Sequence, residues 1–178
     1  MIETYPENIL RFCPKCSSRF VPQHDFSFIC ESCGLHFFSN ACAAVCGLIL
    51  DCQGRLLLTK RAKEPKKGML DLPGGFVNPF ESLEEALGRE IREELGVTVR
   101  DMNYICSFPN RYVYSGLTYF TIDLAFICKL DDVSIIKPAD DVEDAIFVSP
   151  GKIHLEDIAF ESIRNIISFF INLNSDRN

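Results

Sequence analysis

The segment Gly74–Val97, GGFVNPFESLEEALGREIREELGV, constrains the fold of this chain more than any other segment. Its two glycines follow a proline and break regular structure, and Ser82 with Glu85 forms the capping box that begins a helix. Gly96 suits the end of that helix. Apolar residues recur between these ends at helical spacing, at Leu83, Ala86, Leu87, Ile91 and Leu95. The segment therefore predicts a loop followed by an amphipathic helix with one buried side.

Glu90, Glu93 and Glu94 share one side of the predicted helix, because residues three and four apart lie on the same helix face. Like charges at this spacing destabilise a helix by roughly a few tenths of a kcal/mol per pair unless a cation lies among them. Clustered carboxylates are ligands for Mg²⁺ or Mn²⁺, whose coordination a substrate phosphate can complete. A solvated helix face is the alternative interpretation of the charge alone.

The spacing of the whole segment favours the metal site. Gly75, Glu81 and the run Arg89–Val97 match every fixed position of the Nudix box, G-x5-E-x7-REUxEExGU, in which U is a bulky aliphatic residue. The chain therefore resembles a Nudix hydrolase. This resemblance implies an α/β fold, the α/β/α sandwich with a mixed sheet. It also implies metal-dependent hydrolysis of a nucleoside diphosphate linked to another moiety.

The resemblance also implies a role for each matching position. The three clustered glutamates would bind Mg²⁺ or Mn²⁺, and one of them would act in water activation. Arg89 would orient these glutamates by ion pairing, and Glu81 would be an auxiliary ligand or a brace. The backbone of Gly75 would approach the metal or phosphate closely, as a residue without Cβ allows.

Two segments outside the box carry further candidate site residues. Family members often take another acidic ligand from a loop, and Asp141 or Glu143 in the stretch DDVED is the candidate here. A solvated acidic loop is the alternative for either residue. Arg61, with the lysines that follow it, precedes the box and is a candidate phosphate contact; an ordinary surface role is the alternative for most of these residues.

Two CxxC pairs, Cys13 with Cys16 and Cys30 with Cys33, are separated by thirteen residues. This spacing lets four thiolates face one tetrahedral Zn²⁺, and it predicts a structural zinc ribbon. A disulfide framework or four unrelated thiols is the alternative. The predicted organisation is a zinc ribbon and linker over residues 1–40, with 34–40 as linker, and the Nudix domain over 41–178. Core or strand packing is expected for the other cysteines, which are Cys42, Cys46, Cys52, Cys106 and Cys128.

Apolar runs bounded by turn residues predict strands at residues 41–50, 55–60, 98–108, 117–130 and 145–148. The first two are expected to pair as a hairpin around the turn at residues 51–54. A final amphipathic helix is predicted, with Asp157 and Glu161 in its N-terminal turn. Its apolar positions are Ile158, Ile163, Ile166, Ile167 and Phe170. This order predicts a mixed sheet with helices on both faces.

A zinc ribbon directly before a Nudix domain resembles the arrangement of NADH pyrophosphatases. Those enzymes carry SQPWPFPxS after the box, where residues 107–115 of this chain read SFPNRYVYS, without the glutamine, the tryptophan and two of the prolines. The expected substrate is therefore ADP-ribose, NADH or a related dinucleotide. Candidates for base stacking or phosphate contact are Phe108, Arg111, Tyr112 and Tyr114, with strand or core packing as the alternative.

The net charge of −7 argues against binding to nucleic acid or to an anionic membrane. The N-terminus lacks a secretory pattern and no segment suits a bilayer span, so a cytoplasmic protein is expected. The resemblance to dinucleotide-type Nudix proteins implies a homodimer. The alternative function is a non-catalytic module that senses a nucleotide and whose ribbon binds a protein or nucleic acid. The intact box argues against that alternative.

Overall fold

A computed structural model describes residues 4–23 and 26–175 of the chain. The chain divides into two compact units, the first comprising Met1–Cys42 and Arg111–Thr121 and the second Ala43–Asn110 and Ile122–Asn178. The predicted domain boundary after residue 40 stays a prediction. Within the described ranges, no helix combines the length and the apolar character that crossing a bilayer requires.

The first unit contains a three-stranded antiparallel sheet. Its elements are α1 (Pro6–Ile9), β1 (Phe20–Pro22), β2 (Ser27–Cys30) and β3 (His36–Phe38), and the strands run in the order β1-β2-β3. The prediction that residues 34–40 are a linker is wrong, because β3 pairs with β2. Phe37 lies opposite Phe28, and its ring centroid is 6.2 Å from that of Phe20. Aromatic packing therefore makes this segment part of the ribbon.

The remaining strands form two further sheets, ordered β7-β4-β9-β8 and β10-β5-β6. The strands are β4 (Cys42–Ile49), β5 (Leu56–Arg61), β6 (Leu70–Asp71), β7 (Gly74–Phe76), β8 (Val99–Tyr114), β9 (Leu117–Leu130) and β10 (Val142–Val148). The longer helices are α2 (Leu83–Leu95) and α3 (Glu161–Ser175). Two short 3₁₀ turns, Pro150–Lys152 and Leu155–Asp157, lie between β10 and α3.

The second unit has a core on each side of its strands. In β5, Leu56 and Leu58 face the cluster that contains α3, whereas Leu57 faces the cluster that contains α2, because successive side chains of a strand point to opposite faces. The helical members of these clusters are Ile163, Ile166, Ile167 and Phe170 from α3, and Ala86, Leu87, Ile91 and Leu95 from α2. The predicted α/β/α arrangement is confirmed.

Helix α2 has the ends that the sequence predicts. The Ser82 side chain accepts from the Glu85 amide, Glu85 accepts from the Ser82 amide, and Gly96 ends the helix with φ of 69°. The helix packs closely on β4, since a Cβ on Gly47 would lie 3.2 Å from Cδ1 of Ile91. A residue larger than glycine there would push against the helix that carries the clustered glutamates.

The predicted hairpin of residues 41–60 is wrong in its pairing. The chain does reverse at Asp51, whose amide donates to the carbonyl of Arg55. However, β4 and β5 belong to different sheets, and only an isolated bridge joins Leu50 to Leu56. Strand β5 pairs instead with β6 and β10, and its first four side chains are buried.

The final helix begins later than predicted, at Glu161. Ile158 is fully buried and forms a parallel bridge with Leu70, which holds it outside the helix. Asp157 lies in the 3₁₀ turn before it.

The assignment of five cysteines to packing is partly wrong. Cys46, Cys106 and Cys128 are buried in the core, but Cys42 and Cys52 are exposed. Cys42 begins β4, and Cys52 lies in the turn that follows that strand.

Candidate metal sites and active site

The four cysteines of the two CxxC pairs come together in the first unit, where the Sγ atoms all lie within 4.8 Å of one another. The Sγ–Sγ distance is 3.7 Å for Cys13 and Cys33 and 3.5 Å for Cys16 and Cys30. Tetrahedral Zn²⁺ with bonds of about 2.3 Å separates its sulfur ligands by about 3.8 Å, so the thiol cluster fits zinc. All nine cysteines are free thiols, which excludes the disulfide alternative in this structure.

Two thiols of the cluster, Cys13 and Cys16, have neighbouring hydrogen-bond donors. The Lys15 amide donates a hydrogen bond to Sγ of Cys13 at 3.4 Å. Hydrogen bonding from Ser18 lowers the pKa of the Cys16 thiol to about 6. Backbone and side-chain donors of this kind favour the deprotonated form that binds metal.

In the second unit, the glycine loop rests against the C-terminal turn of α2. The Gly74 amide donates to Oε2 of Glu94 at 3.0 Å. Gly74 has φ of 144°, and a Cβ there would lie 2.0 Å from the carbonyl oxygen of Val45. A Cβ on Gly75 would lie 2.6 Å from Cδ of Glu90. Gly74 is therefore required for the loop to pass this close to β4, and a side chain at position 75 would displace the Glu90 carboxylate.

Arg89 is the centre of a network of carboxylates. Its Nε and Nη2 donate to the two oxygens of Glu81 at 2.7 and 2.9 Å, and Nη1 donates to Glu90 at 2.7 Å and to Glu93 at 3.2 Å. Nη2 also donates to the carbonyl of Phe76. The guanidinium thus ties the start of the box segment to the helix face.

The environments of the glutamates differ in electrostatic character. Hydrogen bonding to Arg89 lowers the pKa of Glu81 to about 2. Burial raises the pKa of Glu90, although Arg89 opposes this effect, and burial raises the pKa of Glu94 to about 8. Glu93 is exposed over about half of its side chain. Glu94 in particular is a buried carboxyl in an acidic surrounding, and a divalent cation would compensate its charge.

The box carboxylates are nevertheless not drawn into a tight cluster. Over residues 4–23 and 26–175, the four thiols are the one group of three or more ligand atoms that lie within 4.8 Å of one another. Arg89 holds Glu90 and Glu93 on its own side, while Glu94 is turned toward Gly74. The carboxylate oxygens suit Mg²⁺ or Mn²⁺, and so does the glycine cradle, by which we mean the backbone of Gly74 and Gly75 against Glu94 and Glu90. The carboxylates would move closer together to bind the ion.

The acidic stretch after residue 139 lies near α2, because the Ala139 amide donates to the carbonyl of Glu94 at 2.8 Å. The charge of Asp141 contributes to the raised pKa of Glu94. Lys63 forms ion pairs with Asp141 and, at 3.2 Å, with Asp140. Glu143 is directed elsewhere, to Lys60 at 3.0 Å. Of the two candidate ligands, Asp141 is the one electrostatically coupled to the box.

Arg61 and Phe108 are both in the second unit. The guanidinium of Arg61 pairs with Asp71 at 2.9 Å and donates from Nε to the carbonyl of Pro65 at 2.8 Å. Phe108 is half-buried against the core cluster that contains α3.

Asp71, the partner of Arg61, is not among the residues that the sequence predicts for the site. The signal for it is an acidic residue in the short apolar stretch MLDLPGG, directly before the glycines.

Arg111, Tyr112 and Tyr114 belong to the first unit, at the end of β8. The Arg111 guanidinium lies 3.4 Å from the hydroxyl of Tyr5. The rings of Tyr112 and Tyr114 stack with centroids 6.3 Å apart, and Tyr114 is half exposed. The structure therefore divides the five predicted substrate contacts between its two units.

Comparisons with known proteins agree with this geometry. The family pattern described as the NUDIX domain matches residues 41–169. A protein of Pseudomonas aeruginosa (strain LESB58) named NAD-capped RNA hydrolase NudC is 31% identical over 140 residues, which cover 78% of this chain and 48% of that protein. The protein of the same name from Chromobacterium violaceum is 33% identical over 136 residues, covering 76% and 48%.

The chain spans about half the length of the curated relatives it matches. Among solved structures, a NUDIX hydrolase from Nitrosomonas europaea has a TM-score of 0.57 and 25% sequence identity, with 87% of this chain and 86% of that chain covered. A structure titled UDP-X diphosphatase has a TM-score of 0.63 at 19% identity, covering 79% of this chain and 66% of that one, which shows the fold alone.

Proposed function

Because the chain belongs to the Nudix family, we propose that it is a metal-dependent pyrophosphohydrolase that cleaves a nucleoside diphosphate linked to another moiety. The observation that carries this proposal is the contact of the Gly74–Gly75 backbone with two carboxylates of one helix, Glu90 and Glu94. A buried carboxyl with a pKa of about 8 is unfavourable as an anion without a cation beside it. The arrangement is thus best accounted for as a divalent metal site.

In this proposal, Glu90, Glu93 and Glu94 hold Mg²⁺ or Mn²⁺, which supplies positive charge against the diphosphate. Arg89 keeps two of these carboxylates aligned, and Glu81 braces Arg89 through both of its oxygens. One of the three glutamates accepts the proton of the attacking water. Asp141 adds a further carboxylate from its loop, and Lys63 neutralises that carboxylate when no metal is bound.

The four-cysteine cluster is a structural zinc site in this account. Four thiolates complete a tetrahedral coordination sphere and leave no position for a catalytic water. The surrounding core is small, with Cys13, Phe20, Phe28 and Cys30 as its buried members. Metal binding therefore contributes to the folding of this segment.

The proposed substrates are ADP-ribose, NADH or a related dinucleotide, and they include such a dinucleotide at the end of an RNA. The support is the name of the curated relatives, NAD-capped RNA hydrolase NudC, together with the two metal sites. That name also supports nucleic acid as a partner, although the net charge argues against nucleic-acid binding. The expectation that nucleic acid is not a partner is therefore not retained, whereas the homodimer stays a prediction.

A panel of substrates tests the proposal. The purified chain is incubated with Mg²⁺ or Mn²⁺ and ADP-ribose, NADH or NAD-capped RNA, with UDP-glucose as a comparison, and released mononucleotides are separated by chromatography. We expect mononucleotide release from at least one adenosine-containing member, and none when divalent metal is omitted. Absence of turnover across the panel, with the zinc site loaded, would contradict the proposal.

A further inference from the structure

Arg61 has its guanidinium committed to protein groups on three sides. It ends β5 and pairs through Nη1 with Oδ2 of Asp71 at 2.9 Å. Its Nε donates to the carbonyl of Pro65 at 2.8 Å, and its Cζ lies 5.0 Å from the ring centroid of Phe160. Only 19% of the side chain is exposed. A phosphate contact would have to compete with these partners.

Asp71 connects Arg61 to the loop that follows Asp71 in the chain, because its carboxylate contacts both. This residue is 7% exposed, and its Oδ1 accepts from the amide of Leu72 at 2.9 Å. Its own carbonyl accepts from the Thr59 hydroxyl on the neighbouring strand. Without Arg61, Asp71 would be a buried carboxylate without its cation, which is strongly unfavourable.

The backbone after Leu72 has little freedom. The carbonyl of Pro73 accepts from the Gly47 amide at 2.8 Å, and Gly74 lies against the carbonyl of Val45. The amide of Gly74 then reaches Oε2 of Glu94 at 3.0 Å. The path from Arg61 to this glutamate therefore consists of the ion pair with Asp71, the hydrogen bond from Leu72 to Asp71, three residues of constrained chain and the hydrogen bond from Gly74 to Glu94.

We propose that Arg61 is a positioning residue for the metal-binding glutamates, which acts through Asp71 on the glycine loop. Arg61 fixes the start of this loop, and the loop in turn fixes Glu94. This inference rests on the proposed function, since it requires that these carboxylates bind the divalent metal. It assigns Arg61 a role other than the phosphate contact that the sequence suggests.

The test is the affinity of the protein for Mn²⁺ without substrate, measured by electron paramagnetic resonance of the free ion. Arg61→Lys keeps the charge but cannot serve both Asp71 and the Pro65 carbonyl. We expect its Mn²⁺ dissociation constant to rise by about tenfold, the lower end of the effect of losing an outer contact at a metal site. Asp71→Asn keeps an acceptor for the Leu72 amide, and we expect it to weaken binding in the same direction.

The matched control is Arg55→Lys. Arg55 lies just before the other end of β5, pairs with Asp51 at 2.6 Å and stands 5.8 Å from the ring of Phe147. It has the same kind of partners, but none of them leads to the glycine loop. We expect its Mn²⁺ affinity to match the wild type within about twofold.

Three results would overturn the inference. Unchanged Mn²⁺ affinity in Arg61→Lys with a raised KM for the substrate would make Arg61 a phosphate contact. Unchanged affinity with a lowered melting temperature would leave Arg61 only a structural role. Failure of the wild type to bind Mn²⁺ would remove the proposed function together with this inference, and that result is distinct from a defect confined to the variants.

Discussion

Replacing Glu94 by glutamine should stabilise the metal-free protein at neutral pH. Glu94 is 8% exposed, and burial raises its pKa from the ordinary value of 4.5 to about 8. A carboxyl whose pKa is higher in the folded state binds its proton more tightly there than in the unfolded chain. Its effect on stability is therefore most favourable below pH 4.5 and is progressively lost as the pH rises toward 8.

The size of this effect follows from the two pKa values. Each pH unit between them costs about 1.4 kcal/mol of folding free energy, so the penalty is about 1 kcal/mol at pH 5.5 and about 3 kcal/mol at pH 7. Glutamine carries no charge and avoids this penalty. For a chain of this size, about 3 kcal/mol corresponds to a rise in melting temperature of roughly 6 to 12 °C.

The assay is thermal unfolding at pH 5.5 and pH 7 in buffer freed of divalent ions, with zinc retained by the protein. Glu84→Gln is the control, because Glu84 is an exposed residue in the first turn of the same helix. Added Mn²⁺ should stabilise the wild type more than Glu94→Gln, since a ligand stabilises the folded state more when it binds more tightly and the variant lacks one of the three carboxylates. An advantage of Glu94→Gln that does not grow with pH would refute the reasoning.

Three further predictions concern other parts of the chain. Cys16→Ser should lower the zinc released to a colorimetric chelator, and an undiminished zinc content would contradict the four-thiolate site. Phe80 is fully exposed and has φ of 73°, a left-handed conformation that is strained for a residue with a Cβ. Phe80→Gly should therefore raise the free energy of unfolding in urea by about 1 kcal/mol. A loss of stability would contradict this prediction. Gly75→Ala should weaken Mn²⁺ binding by at least about tenfold, because its Cβ would displace the carboxylate of Glu90. Gly151→Ala, which meets no atom within 4 Å, should leave Mn²⁺ binding unchanged, and equal effects of the two would contradict the cradle.

The sequence predicts most completely those features that depend on neighbouring residues. Helix α2 has its cap at Ser82, its apolar period and its stop at Gly96 within one segment, and the structure has all three. The pairing of β5 could not be read in this way. Its partners are β6, the next strand along the chain, and β10, the last strand, and the turn between β4 and β5 does not reveal that these two strands enter different sheets.

The same contrast applies to the candidate site. The box residues and the two CxxC pairs are recognisable from spacing alone, because their geometry follows from a helix and from two tight turns. Asp71 was missed because its role depends on two contacts that the local sequence does not show. These are the ion pair with Arg61 on a neighbouring strand and the hydrogen bond from the Leu72 amide, just before the glycines. The division of the aromatic candidates between the two units was also not visible, because it depends on the packing of residues 111–121 with the N-terminal segment.

The most direct test of metal-dependent hydrolysis by the box carboxylates compares two glutamine variants of helix α2. The kcat for the best substrate of the panel is measured at saturating Mn²⁺ for the wild type, Glu94→Gln and Glu84→Gln. We predict a loss of at least about a hundredfold in Glu94→Gln and a rate within about twofold of the wild type in Glu84→Gln. Equal rates in all three proteins would contradict the account, because the hydrolysis would then not depend on the carboxylate that the glycine loop holds.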